Sequence, residues 1–194
     1  MKTEFLTPDS PRYDEVTAHT QKIYRDTYGA TIRNFAPLLV ASFNAEGKIL
    51  CAAGIRTKED GFFSDTYLDD DLGNTILKRT GQVVAASEIM EVVSLASATP
   101  FPVLAMMDKM VQWGRMHNKS LGIFTATAKL RKLLGRAKLP YNLLCPANPA
   151  RVDNPDDWGS YYDTDPCVCS FSEEFCTQIT LSPRNRNVVG GGLL

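Results

Sequence analysis

A chain of 194 residues with 44% hydrophobic and 22% charged residues has the make-up of one globular domain, which excludes a disordered or a fibrous chain. Lys and Arg total 21 against 22 Asp and Glu, a formal net charge of -1, so the overall positive charge of a nucleic-acid binder is missing and no such partner is expected. Met1 to Arg12 lacks the apolar run of a secretory signal, and no segment approaches about 18 consecutive apolar residues, so a cytoplasmic chain without a transmembrane segment is expected.

Ser10 and Pro11 suit the start of a helix, and Val16, Thr20, Ile23 and Tyr24 continue it at helical spacing to Tyr28, so the first expected element is an amphipathic helix. Leu38 to Phe43 and Ile49 to Ile55, parted by a polar turn, predict a hairpin of two largely buried strands. Phe62 to Leu68 reads as a further strand. Asp69, Asp70 and Asp71 then place negative charge at the start of a helix over Leu72 to Arg79.

Ile89 to Ala98 predicts a strand, and Pro102 to His117 a helix whose inward stripe includes Val103, Met106, Met107, Met110, Val111 and Gly114. Leu121 to Thr127 is a second strand of this type. Ala128 to Lys138 follows as a helix with Leu130, Leu133, Leu134 and Ala137 as its core face. Tyr141 to Cys145 is a strand, Pro146 to Ser160 a long loop, and Tyr161 to Phe171 holds at least one last strand. This order implies an α/β domain with a mixed sheet and helices on both faces. A single domain over residues 1–176 and a flexible tail over 177–194, rich in glycine at its end, are expected.

Five cysteines, no CxxC pair and two histidines give neither a disulfide framework nor a metal site. Cys51, Cys145, Cys167 and Cys169 read as small buried hydrophobes, and the methionine stripe as core packing. Lys129, Arg131, Lys132, Arg136 and Lys138 form a basic run on one short helix, read first as a solvated face.

From about Tyr28 to Val168 the sequence resembles the thermostable haemolysin family. The likeness lies in Tyr28-Gly29-Ala30, Ile32, Phe35, Pro37, Ala53-Gly54-Ile55-Arg56, Glu88-Ile89-Met90-Glu91-Val92, Leu95-Ala96, Phe124-Thr125-Ala126-Thr127, Leu130-Arg131 and, most specifically, Asp157-Trp158-Gly159-Ser160-Tyr161-Tyr162. That family is similar to acyl-homoserine-lactone synthases and to the Gcn5-related N-acetyltransferase (GNAT) superfamily. The resemblance implies a GNAT-like, mostly antiparallel central sheet. It also implies an N-acyltransferase with no resident cofactor, which takes an acyl group from acyl-phosphopantetheine on an acyl or peptidyl carrier protein, or from acyl-CoA, to a small-molecule amine.

In that fold the strands over 89–98 and 121–127 run parallel and part at their C-terminal ends to open a slot. Backbone N–H groups near Val93, Ser94 and Leu95 would polarise a thioester carbonyl lying there. Arg56 and Glu91 resemble positions that the synthases use around substrate, while Val93 and Ser94 stand where their motif continues with serine and arginine. Glu91 is the candidate general base, with an ion pair to Arg56 or Arg33 as the alternative. Tyr161 and Tyr162 are candidate general acids, Ser94 belongs to the same catalytic set, and Trp158, Thr125 and Thr127 would line the slot. Arg33 and Arg56 suit an acceptor carboxylate or a pantetheine amide.

Where acetyl-CoA-binding members carry a glycine-rich loop, this chain has Ser97-Ala98-Thr99-Pro100-Phe101-Pro102, in which two prolines remove backbone donors from a pyrophosphate. A carrier-borne arm needs no such clamp. Lys129, Arg131, Lys132 and Arg136 thereby become a candidate docking surface for an acidic carrier protein. A membrane-active haemolysin-like protein and a non-catalytic carrier-binding module remain the alternatives. Dimerisation over exposed sheet edges is open as well.

Overall fold

The computed structural model describes residues 1–172. In chain order the elements are β1 (Lys2–Leu6), α1 (Tyr13–Tyr28), β2 (Leu38–Phe43), β3 (Ile49–Arg56), α2 (Leu72–Thr80), β4 (Ile89–Ser97), α3 (Phe101–Met116), β5 (Leu121–Ala126), α4 (Ala128–Arg136), β6 (Asn142–Pro146) and β7 (Cys167–Ser172). The strands form one seven-stranded sheet in the order β1-β2-β3-β4-β5-β7-β6. Every neighbouring pair is antiparallel except β4 with β5.

Strand alternation divides the core between the two faces. Cys51, Ala53 and Ile55 of β3 pack with Val103, Met106 and Met110 of α3, whereas Ala52 packs with Val16 of α1. Helices α1 and α2 thus cover one face, and α3 and α4 the other, where Leu134 packs on Phe124, Ala126 and Cys169. Helix ends follow local chemistry. Asp71 caps α2 by accepting from the Asn74 N–H at 2.8 Å, as the acidic run predicts, and Gly29 closes α1 at φ 69°, a left-handed position. Among the described residues no helix is long and apolar enough to cross a membrane. Cys51 and Cys169 are buried, which pushes their thiols up to about 12.

Two expectations from the sequence are corrected. The first element is the edge strand β1, not a helix, and α1 begins at Tyr13. Ser10 is spent on the turn between them: its hydroxyl accepts from the Thr7 N–H at 3.0 Å and its carbonyl from the Tyr13 N–H at 3.0 Å. Phe62 to Leu68 holds no strand but a 3-10 turn over Phe63–Tyr67, because the carboxylate of Glu91 binds its first amides and curls it. The last strand expected within Tyr161 to Phe171 is present as β7, which the chain enters from Cys167 after a 3-10 turn over Tyr161–Thr164 ended by Asp165 at φ 52°. The domain limit expected at residue 176, the tail over 177–194 and Cys176 lie outside the described residues.

Candidate active site

Parallel pairing of β4 with β5 runs from Ile89↔Leu121 to Val92↔Phe124 and stops. Beyond it, β4 follows β3 to the pair Cys51↔Ser97, while β5 follows β7 to Ala126↔Cys167, so the two strands part. The break coincides with Ser94, which sits at φ 53° where the β3/β4 register slips between Gly54↔Val93 and Ala52↔Ala96. A left-handed conformation is unfavourable for serine by about 1–2 kcal/mol, so the surrounding ladder holds it. The gap forms a cleft of about 610 Å³ that reaches both faces of the sheet.

On the α3/α4 face the cleft is apolar, walled by Met90, Val92, Met107, Phe124, Leu130 and Leu133. On the α1 face it is aromatic, with Tyr24, Tyr28, Phe63, Tyr67, Trp158 and Tyr161. These rings brace one another: Tyr161 meets Tyr28 edge-on at 5.3 Å between centroids, stacks on Tyr24 at 6.2 Å and lies 5.3 Å from Trp158. Burial raises the pKa of Tyr24, Tyr67 and Tyr161 well above the usual tyrosine range, so all three are neutral proton donors at neutral pH. The Tyr161 hydroxyl has no hydrogen-bond partner among the described residues, whereas Tyr67 and Tyr162 share one at 2.8 Å.

Most residues singled out in the sequence meet here. Val93, Ser94, Leu95, Arg33, Arg56, Thr125, Thr127, Trp158 and Tyr161 line the cleft, as do Lys129, Lys132 and Arg136. Arg56 donates to the Gly61 carbonyl at 3.1 Å, and Thr127 caps α4 by accepting from the Leu130 N–H at 3.2 Å. Arg33 is paired bidentately with Asp157, at 2.9 and 3.0 Å, which fastens the 30–34 loop to the Pro155–Trp158 turn.

Three of them do not line it. Glu91 is 1% exposed and accepts from the Phe63 N–H at 2.6 Å, the Ser64 N–H at 2.8 Å and the Ser64 hydroxyl at 2.5 Å. Its oxygens hold the turn that carries Phe63 and Tyr67, and no ion pair joins it to Arg56 or Arg33. Tyr162 sits behind Tyr67, its hydroxyl engaged there. Arg131, with 13% of its side chain exposed, donates to the carbonyls of Ala126 and Asp165 and to the Asp165 carboxylate, so it ties α4 to the turn before β7 and leaves the basic stripe. Sequence reasoning passed over Tyr24, Tyr28 and Tyr67 as site residues. The four-residue spacing of Tyr24 and Tyr28 on one helix face is the signal that points to the first two.

At the mouth, Pro100 stands as the N-cap of α3 and Pro102 lies in its first turn, so two backbone amides that a phosphate would use are missing. The Ser97 hydroxyl is turned inward to the carbonyls of Leu50 and Thr99.

A family model described as "Thermostable hemolysin" matches residues 6–175. No protein among those with curated descriptions matches the sequence. Solved structures share the fold. FeeM, described as an N-acyl amino acid synthase from uncultured soil microbes, is 13% identical with a TM-score of 0.63 over 93% of this chain and 94% of its own. LasI, an AHL synthase, is 9% identical with a TM-score of 0.61 over 89% of each chain. An N-acetyltransferase from Lactobacillus plantarum, so described provisionally, is 9% identical with a TM-score of 0.56 over 88% of this chain and 97% of its own. The mixed, mostly antiparallel sheet with helices on both faces is therefore the GNAT-like fold that the resemblance implies.

Proposed function

The chain belongs to the thermostable haemolysin family, and we propose that it is an N-acyltransferase which moves an acyl group from the phosphopantetheine thioester of a carrier protein to a small-molecule amine. The observation that carries this reading is the parting of β4 from β5 at the Ser94 bulge, which puts an apolar lobe and an aromatic, polar lobe on either side of one exposed stretch of backbone. An acyl chain fits the first lobe and an acceptor the second, with the thioester carbonyl between them. FeeM, whose fold this chain shares, is described as a synthase of N-acyl amino acids.

Past Val92 the edge of β4 toward β5 has no ladder partner, so the stretch Val93 to Leu95 is where a backbone N–H is offered to the thioester oxygen. A preorganised donor of this kind lowers the barrier by about 3 kcal/mol. The acceptor nitrogen, as the free amine, attacks the carbonyl carbon, the C–S bond breaks, the Tyr161 hydroxyl protonates the departing thiolate, and the proton that the nitrogen sheds as the amide forms returns to the tyrosine. Arg56 holds an acceptor carboxylate, since Arg33 is already committed to Asp157. Thr125 and Thr127 supply hydroxyls along the β5 side. Glu91 acts as a positioning residue that fixes the Phe63–Tyr67 turn, and the acceptor ammonium loses its proton to water at the open mouth.

A carrier protein suits the mouth better than CoA. Lys129, Lys132 and Arg136 form one exposed stripe beside the cleft, where an acidic surface would meet them, and the prolines remove amides that a pyrophosphate would need. The test is intact-protein mass spectrometry of acyl-loaded carrier protein incubated with this protein and a pool of amines. Acyl loss that needs both protein and amine, with the matching amide formed, is the expected result. Turnover of acyl-CoA alone removes the carrier from the reading, and turnover of neither donor removes the transferase.

A further inference from the structure

Two glycines shape the far end of the apolar lobe. Met90 and Gly122 are partners across the parallel pair of β4 and β5, one same-face step of about 7 Å below Val92 and Phe124, where the strands part. Gly122 also faces Phe171 across the antiparallel pair of β5 and β7. The Phe171 ring lies over that glycine so closely that a Cβ on Gly122 would stand 2.3 Å from its Cε1. The same ring meets Phe124 at 6.0 Å between centroids, in an edge-on arrangement. On the other side of the lobe, Sδ of Met90 rests 2.9 Å from where a Cβ on Gly114 of α3 would be. Both Met90 and Phe171 line the cleft.

We propose that Phe171, packed on Gly122, and Met90, packed against Gly114, form the end wall of this lobe and set an upper limit to the length of linear fatty acyl chain that the protein accepts. The inference rests on the acyl-transfer reading in placing an acyl chain in the lobe. A side chain larger than hydrogen at Gly122 cannot share its place with the ring, so the ring would swing into the lobe and shorten it. A smaller residue at position 171 would deepen it.

The test reads binding apart from turnover. Saturated fatty acids of increasing length are titrated calorimetrically into the wild type, Phe171→Leu, Phe171→Trp and Gly122→Ala, with circular dichroism to establish that each variant is folded. Affinity should rise about fourfold for each methylene that finds room and stop rising at the limit. The limit is expected to move to longer chains in Phe171→Leu and to shorter ones in Phe171→Trp and Gly122→Ala. If Gly122→Ala fails to fold, the two substitutions at position 171 carry the test in both directions. One limit shared by Phe171→Leu and Phe171→Trp, or a wild type that binds no chain, overturns the end wall. A shifted limit without transfer from any acyl thioester leaves the end wall standing and removes the acyltransferase reading instead.

Discussion

Replacing Glu91 with Gln keeps the shape of the side chain while removing its charge and one acceptor. The carboxylate receives donors on both oxygens: the Phe63 N–H on Oε2, the Ser64 N–H and hydroxyl on Oε1. An amide in the same place keeps its single oxygen toward Ser64 and turns its NH₂ toward the Phe63 N–H, donor against donor. Loss of one charge-assisted hydrogen bond, at about 1.5–3 kcal/mol, and a stranded amide, at about 1–3 kcal/mol, give an expected destabilisation of about 2.5–6 kcal/mol. Burial pushes the Glu91 carboxyl above its ordinary 4.5, against the pull of the Ser64 and Phe63 donors. A carboxyl raised on folding contributes stability that is complete below its unfolded value and is lost as pH rises through the folded one. The stability gap between wild type and Glu91→Gln should therefore narrow as pH climbs from 4.5 upward. Urea unfolding across that range reads this, and transfer rates are measured well below the variant's unfolding midpoint. With saturating substrates the rate should stay within about tenfold of the wild type. A fall of roughly 100-fold or more with unchanged stability would make Glu91 the base and refute its assignment as a positioning residue.

Reversing the charge of Lys129, Lys132 and Arg136 together should weaken the carrier complex and flatten its salt dependence, measured by equilibrium binding at several ionic strengths. Arg131→Ala should instead leave that affinity unchanged and lower the unfolding free energy by about 1–3 kcal/mol, because its guanidinium is bound to Ala126 and Asp165. Tyr162→Phe removes the 2.8 Å hydrogen bond to Tyr67 and should cost about 1 kcal/mol in chemical denaturation with little change in rate. Tyr161→Phe should lower kcat by about tenfold or more, most of all for thiols of high pKa. With thiols held up at about 12, Cys51 and Cys169 should resist iodoacetamide at neutral pH until the protein is unfolded, as followed by peptide mass spectrometry.

The elements that were legible in the sequence are those whose own residues specify them. The apolar runs of β2, β3, β4 and β5 and the periodic stripe of α3 need no distant partner to be read. β1 was hidden because five residues with two charges carry little alternation, and what makes them a strand is the neighbouring edge of β2. The Phe63–Tyr67 turn was hidden for a similar reason: its amides answer to Glu91, a residue 27 and 28 positions further on. Within α4 the division of the basic run was present in the spacing. Lys129, Lys132 and Arg136 are three and four apart and share a stripe, while Arg131 lies a third of a turn away, toward Asp165.

Ser94 shows why the site's location was easier to read than its sidedness. Before it, Ile89 packs with the α2 cluster and Val93 against Gly54 on the α1 and α2 face, and Met90 and Val92 on the α3 face. After it the alternation is inverted, with Leu95 toward α3 and Ala96 toward Tyr24 and Tyr161. A strict period of two from Glu91 onward would send Leu95 into the aromatic lobe and Ala96 into the apolar one. One residue at φ 53° thus ends the pairing with β5, exchanges the faces and bares the backbone between two lobes of opposite character. The small side chain of Ala96 follows from that exchange: it stands where the rings of Tyr24 and Tyr161 already fill the space, and a larger residue there would displace the aromatic wall of the cleft.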